Sequence, residues 1–119
     1  MKKILLSLIA LCGFAAAQAD SAPAFPGGEA ALNDYIAANL KYPATAMRNG
    51  IEGVVNVEFM VQPDGSIGTI KIQRMVDPDL EQEAIRLVKN MPAWTPAEKG
   101  GAAVAEPVVV PVNFTLPEE

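Results

Sequence analysis

The sequence predicts a two-layer α+β domain, in which a three-stranded antiparallel sheet of strand order 2-1-3 carries helices on one face. Three observations predict this fold. Apolar residues recur every three or four positions in two segments, they alternate with polar residues in others, and a helical segment precedes the last strand. Half of the 119 residues are hydrophobic and 19% are charged, which is typical of a globular chain long enough for one domain.

The first helical segment is residues 29–40, which places three apolar side chains on one helical face: Leu32, Ile36 and Leu40. The segment is interrupted at Tyr42, because the residue before a proline is driven out of the α conformation. Pro43 suits the first position of a second short helix, and Gly50 suits its C-terminal cap.

Residues 53–62 predict a strand, because alternate positions are apolar: Val55, Val57, Phe59 and Val61. Residues 63–66 predict a tight turn, in which Pro63 presets one φ angle and Gly65 supplies a positive φ. Residues 67–75 therefore return as the second strand of a β-hairpin.

Asp77 and Pro78 begin a third helix, as its N-cap and its first residue. Its apolar stripe comprises Leu80, Ala84, Leu87, Val88 and Met91. Pro92 ends the helix, and residues 93–101 predict a loop whose Trp94 is expected to fill the core.

Residues 104–116 predict the final strand. A strand that follows a crossover helix normally runs parallel to the strand before it. In an antiparallel sheet it must then lie beside the first strand, which produces the order 2-1-3 and makes the final strand an edge. Pro107 and Pro111 agree with this placement, because each lacks a backbone donor and such residues are confined to edges or bulges.

The N-terminus predicts an exported protein. Residues 1–19 combine two lysines, an apolar run and small residues suited to cleavage after Ala19, which is the pattern of a secretory signal peptide. An uncleaved inner-membrane anchor is the alternative, but the apolar stretch of 14 residues is shorter than the ~20 that a spanning helix needs. The expected organisation is a signal peptide at 1–19, a short leader at 20–28 and one domain at 29–119, located in the periplasm.

Composition argues against catalysis. The chain has no histidine, which excludes histidine-dependent triads and metal cages, and cleavage of the predicted signal peptide would remove Cys12. The net charge of −5 is opposite to that of a nucleic-acid-binding protein.

Two carboxylate-based alternatives remain. Four acids could form a calcium site, but the required glycine is missing and helix capping explains these residues better: Asp77, Asp79, Glu81 and Glu83. A carboxylate-pair hydrolase would draw on Glu52, Glu58 and Asp64 but needs a deep cleft, which so small a domain has little room to form. We therefore expect no enzyme, no cofactor and no metal.

A series of short motifs carries a resemblance to a known family. The motifs are Pro26-Gly27-Gly28, Tyr42-Pro43 followed by Ala46, Gly50-Ile51-Glu52-Gly53-Val54-Val55, Pro63-Asp64-Gly65, Leu80 with Glu83-Ala84, Met91-Pro92-Ala93-Trp94-Thr95-Pro96, and Pro111-Val112-Asn113-Phe114. Their order and spacing resemble the TonB C-terminal domain, in the form common in Bacteroidota-type bacteria. The resemblance covers nearly all of the chain after the signal peptide.

The resemblance implies a peptide-binding module of energy-coupled transport. Members of the family carry energy from an inner-membrane proton-driven motor to outer-membrane transporters, and their C-terminal domain binds an extended segment of the transporter, the TonB box. For this short chain the motor would act through a separate partner. The resemblance implies strand addition along Val108, Val110, Val112 and Phe114, flanked by Tyr42 and Pro43. An open edge strand independently favours strand addition, and it would also allow a homodimer. On this interpretation, replacing Val112 by proline is expected to remove an edge donor and weaken peptide binding.

One departure from the family pattern affects the expected role. Full-length transducers have a membrane anchor and a long proline-rich linker, whereas the leader here has nine residues. The sequence therefore favours binding of the transporter segment over transmission of force. The alternative is a periplasmic interaction or scaffold module, dimeric or monomeric, that is not coupled to a transporter.

Overall fold

The computed structural model describes residues 20–117, which form three helices, a three-stranded sheet and a small separate hairpin. The elements in chain order are α1 (Glu29–Asn39), α2 (Ala44–Arg48), β1 (Gly53–Val61), β2 (Ile67–Ile72), α3 (Pro78–Lys89), β3 (Ala97–Lys99), β4 (Ala102–Val104) and β5 (Glu106–Phe114). The main elements lie where the hydrophobic periodicity predicts them.

The sheet has the strand order β2-β1-β5, and β1 runs antiparallel to both of its neighbours. This confirms the predicted order 2-1-3 and makes β5 an edge strand. The ladder between β1 and β5 is continuous over nine residue pairs, from Gly53 opposite Phe114 to Val61 opposite Glu106. The ladder between β1 and β2 shifts register between Phe59 and Val61.

The core lies between the sheet and the helices, because alternate residues of β1 and β5 direct apolar side chains to the same face. The buried residues of that face are Val55, Val57, Phe59, Val61, Val110, Val112 and Phe114. Helix α3 buries four residues against them: Leu80, Ala84, Leu87 and Val88. Trp94 fills the core as expected, since it is only 6% exposed and its ring stands edge-on to that of Phe59 at 5.3 Å.

The ends of α3 follow the predicted capping. The Asp77 carboxylate accepts hydrogen bonds from the backbone N–H groups of Asp79 and Leu80 at 3.0 and 3.1 Å, and Pro78 occupies the first turn. Helix α1 is less deeply buried than α3. It has no fully buried residue, but its Tyr35 hydroxyl donates to the Leu87 carbonyl at 2.7 Å.

Tertiary packing changes several local expectations. Pro43 is the N-cap of α2 and not its first helical residue, and β2 ends at Ile72 where the periodicity extended to residue 75. The segment predicted as a loop at 93–101 contains β3 and the start of the small hairpin with β4.

The leader also takes part in the fold. Ser21 and Ala24 form isolated antiparallel bridges with Glu98 and Thr95, and the leader's Phe25 is 7% exposed within the core. The predicted signal peptide at 1–19 lies outside the described residues. Within residues 20–117, no helix has the length and apolar character needed to cross a membrane.

Candidate functional site

The open side of β5 is the candidate site. One side of β5 pairs with β1, and no other strand among residues 20–117 pairs with its second side. An unpaired edge exposes a row of backbone N–H and C=O groups to which another extended chain can add. What the edge offers depends on which residues direct their backbone groups outward.

A hydrogen bond between β1 and the residue that follows β2 identifies those residues. The Gln73 N–H donates to the Asn56 carbonyl at 3.0 Å, so Asn56 directs its backbone towards β2. In an antiparallel sheet, hydrogen-bonded and non-hydrogen-bonded pairs alternate along a strand. Asn56 therefore does not bond to its partner on β5, which is Pro111, whereas Val55 and Val57 bond to theirs.

The same alternation runs along the whole of β5. The residues that bond to β1 are Glu106, Val108, Val110, Val112 and Phe114, and those that face the open side are Pro107, Val109, Pro111 and Asn113. All four of the latter present a carbonyl, but the prolines have no N–H. The edge thus offers four acceptors and only two donors, at Val109 and Asn113.

This geometry changes the role of the residues predicted for strand addition. Val110, Val112 and Phe114 are at most 2% exposed, Val108 is partly buried, and the backbone groups of all four residues are used by the ladder to β1. The expectation that Val112→Pro removes an edge donor is wrong, because that N–H faces β1. Val109 and Asn113 were not predicted as edge donors. The positions of Pro107 and Pro111 could have identified them, because proline cannot stand where an N–H must donate to β1. The prolines, and the residues two positions away from them, therefore face the open side.

Tyr42 lies beside the C-terminal end of β5. Its ring packs edge-on against that of Phe114, with centroids 5.6 Å apart, and its hydroxyl donates to the Ile51 carbonyl. Partial burial and the nearby Glu52 carboxylate raise the pKa of Tyr42 above its ordinary value. The hydroxyl is therefore neutral at physiological pH and already engaged, which leaves the ring and Pro43 as the contact surface of this segment.

Tyr42 and Pro43 also line an open cleft of about 510 Å³ together with Lys41 and the α3 residues Asp79, Gln82, Glu83 and Arg86. The Glu83 side chain is only 9% exposed. It accepts from the Lys41 backbone N–H at 2.7 Å and forms an ion pair with Arg86 at 2.7 Å. Arg86 in turn donates to the Asn39 carbonyl at 2.9 Å, so α3 holds the C-terminal end of α1 and the segment that follows it.

Opposing effects act on the Glu83 carboxyl. Burial raises its pKa, but the hydrogen bonds from Arg86 and from the Lys41 N–H outweigh burial and hold the pKa below its ordinary value. The carboxylate is therefore ionised at neutral pH. The network therefore fixes the backbone of Lys41, the residue that precedes Tyr42 and Pro43.

Most of the carboxylates considered for metal binding or catalysis accept a hydrogen bond from elsewhere in the domain. Asp77 caps α3, and Glu81 accepts from the Val76 N–H at 2.6 Å. Glu52 accepts from the Leu116 N–H at 2.7 Å, and Asp64 accepts from Ser66 in the hairpin turn. Asp77 and Glu81 therefore act at the start of α3, and Asp64 acts in the hairpin turn.

Taken together, the fold and the edge define a small α+β domain with a proline-containing edge strand that is open to pairing. A family model described as the C-terminal domain of the Gram-negative bacterial TonB protein matches residues 38–116. The chain belongs to the TonB C-terminal domain family, which confirms the resemblance seen in its motifs.

Individual relatives agree with this assignment. The chain is 38% identical over 77 residues to Protein tonB2 of Pseudomonas aeruginosa, an alignment that covers 64% of this chain and 28% of that protein. The match thus spans under a third of the relative's length.

Two NMR solution structures of the Helicobacter pylori TonB C-terminal domain share the fold. One has a TM-score of 0.56 at 24% identity and covers 74% of this chain and 79% of its own. The other, a shorter form, has a TM-score of 0.54 at 26% identity and covers 76% and 95%.

Proposed function

We propose that this protein is a non-catalytic periplasmic module that binds an extended segment, the TonB box, of outer-membrane TonB-dependent transporters. The segment adds to the open side of β5 as a fourth strand. The module thereby takes part in energy-coupled transport across the outer membrane, and the inner-membrane motor acts through a separate partner.

The observation that carries this proposal is the row of outward backbone groups on β5. Four carbonyls and two N–H groups lie along seven residues, from Pro107 to Asn113, beside a side chain that is 44% exposed at Val109. Main-chain pairing along an edge of this length supplies affinity, and alternate side chains supply specificity. Family membership supports the choice of a transporter segment as the ligand.

Tyr42 and Pro43 support the proposal at the end of the edge. The edge-on contact between Tyr42 and Phe114 places this segment beside the C-terminal end of β5. An extended chain that passes Asn113 would continue towards the Tyr42 ring and Pro43, which would flank it.

The experiment is affinity capture. The full chain, tagged after Glu119 and purified from the cell envelope, is mixed with detergent-solubilised outer membranes of the source organism. Co-purification of barrel transporters is the expected result. Synthetic peptides that cover the periplasmic N-terminal segments of those transporters are then titrated to obtain dissociation constants.

Matched variants identify the edge as the binding site. Val109→Pro and Asn113→Pro each remove one outward donor, which should weaken peptide binding about fivefold, corresponding to a net hydrogen bond of about 1 kcal/mol. Val109→Ala shortens the same side chain but keeps the donor and serves as the control. Unchanged affinity in both proline variants, with the fold retained, would place the site elsewhere.

A second candidate function is an interaction or scaffold module without transporter coupling. The open side of β5 also fits this function, because an unpaired edge can pair with an extended segment of another protein. A second copy that pairs through β5 would form a homodimer. Sedimentation equilibrium showing a dimer that Val109→Pro dissociates, with no transporter captured, would favour this function.

A further inference from the structure

The scarcity of donors on β5 restricts which extended segments the edge can bind. A regular edge offers one N–H and one C=O at every outward residue. Here Pro107 and Pro111 supply only carbonyls, so N–H groups remain at Val109 and Asn113, four residues apart. Most of the donors in any added ladder must therefore come from the ligand.

We propose that β5 selects an extended segment whose backbone supplies an N–H at every second residue over seven residues, with proline allowed only at the positions between them. This inference rests on the proposed function, because it specifies the ligand of the same edge. It follows from backbone geometry alone and not from the identity of a particular transporter.

The alternation holds for either strand direction. In both parallel and antiparallel ladders, every second residue of the added strand directs its N–H and C=O towards β5, and the residues between direct theirs to solvent. A proline in the first set removes a donor and leaves a β5 carbonyl unpaired. A proline in the second set costs no hydrogen bond, because its missing N–H would have faced water.

The balance of donors makes this rule stricter here than at a regular edge. The ligand N–H groups bond to the carbonyls of Pro107, Val109, Pro111 and Asn113, whereas β5 donates only from Val109 and Asn113. Ligand donors thus form four of the six possible bonds. The ligand carbonyls that face Pro107 and Pro111 find no N–H donor on β5 and remain hydrogen-bonded to water.

The prolines themselves give a direct test on the protein side. Pro111→Ala restores a donor in the middle of the edge, so a ladder gains one hydrogen bond and affinity should rise about fivefold. Pro63→Ala makes the same substitution at an exposed position in the β1–β2 turn, away from this edge, and should leave the affinity unchanged. An increase specific to Pro111→Ala reports the missing N–H.

The ligand side is tested with an unbiased probe. The full chain is applied to an array of random ten-residue peptides, supplemented with N-terminal segments of the source organism's outer-membrane transporters. The tightest binders are resynthesised with a single N-methyl group at each backbone position in turn. We expect a loss of about fivefold or more at alternate positions and little change at the positions between them.

The outcomes separate this inference from the proposed function. Alternating losses together with tighter binding by Pro111→Ala support the inference, even if the transporter segments fail to bind and transporter coupling is overturned. Transporter segments that bind without alternation, or equally to Pro111→Ala and wild type, overturn the inference and leave transporter binding in place. An array without any binder overturns both.

Discussion

Gly65 joins the β1–β2 turn to the loop that follows α3. Its φ of 88° lies in the region that favours glycine, and the Trp94 N–H donates to its carbonyl at 2.9 Å. A Cβ at this position would lie 2.2 Å from the Trp94 carbonyl oxygen. Backbone conformation and close approach of the chain therefore both require glycine here.

Gly65→Ala should accordingly destabilise the domain by more than the conformational cost alone. A left-handed alanine costs about 1–2 kcal/mol, and the clash with Trp94 adds to it. Gly50→Ala is the matched control, because Gly50 also has a positive φ but a Cβ there meets nothing within 4 Å. Urea unfolding measures both variants, and equal losses of unfolding free energy would contradict a role for the close approach.

Glu83 is predicted to make stability pH-dependent. A carboxyl whose pKa is lower in the folded state than in the unfolded state stabilises the fold above its unfolded pKa. That contribution disappears as the pH falls through the lowered folded pKa. Glu83→Gln removes the charge interaction with Arg86 and should cost about 1 kcal/mol at neutral pH.

The difference in unfolding free energy between wild type and Glu83→Gln should therefore shrink below about pH 5, where unfolded carboxyl groups begin to protonate. Chemical unfolding between pH 3 and pH 7 measures it. A difference that stays constant over this range would show that the Glu83 carboxylate makes no charge-dependent contribution.

At the scale of the element, β5 has two sets of residues. One set bonds to β1 through its backbone, and the other directs its backbone groups to the open side. Proline at an inward-bonding position breaks the ladder to β1, whereas proline at an outward position leaves the ladder intact. Val112→Pro should therefore destabilise the fold on the order of 3 kcal/mol, through the lost bond and steric disruption. Val109→Pro should leave the unfolding free energy close to that of wild type.

Thermal and urea unfolding of the two variants test this assignment. The pair is well matched, because each variant replaces a valine of the same strand by proline. Equal destabilisation, or a greater loss for Val109→Pro, would show that the outward set has been assigned to the wrong residues.

Local sequence predicted the elements whose causes are local. The N-cap at Asp77, the turn at Gly65 and the apolar alternation of β1 depend on near neighbours, and the structure contains all three. The hairpin of β3 and β4 was not predicted, because its strands have only three residues each and their apolar and polar residues do not clearly alternate. Contacts with the distant leader accompany it, since Glu98 and Thr95 pair with residues 21 and 24.

At the scale of the whole molecule, the leader closes one end of the core. Phe25 packs against Tyr35 and edge-on against Trp94, each with ring centroids 5.7 Å apart. Phe25→Ala should cost about 3 kcal/mol, in line with the removal of a buried aromatic ring. Trp94 is the only tryptophan of the chain, so its fluorescence reports the change directly.

We expect Phe25→Ala to lower the urea midpoint and to shift Trp94 emission to longer wavelength in the native baseline. Pro26→Ala, at an exposed neighbouring position, is the control. Native emission and stability like those of wild type in Phe25→Ala would mean that the leader contributes little to the core.

Periodicity, capping residues and two prolines were enough to predict the α+β class, the strand order and the presence of an edge strand, because these features follow from local conformational preferences and from the rules of strand connection. The sequence motifs also pointed to the family. Only the folded sheet shows which backbone groups of β5 face outward. The hydrogen bond from Gln73 to Asn56 fixes which residues of β1 bond away from β5, and the alternation of pairs then places the outward donors at Val109 and Asn113. The burial of Phe25 against Trp94 likewise required the fold, because contacts between residues about seventy positions apart leave no local pattern.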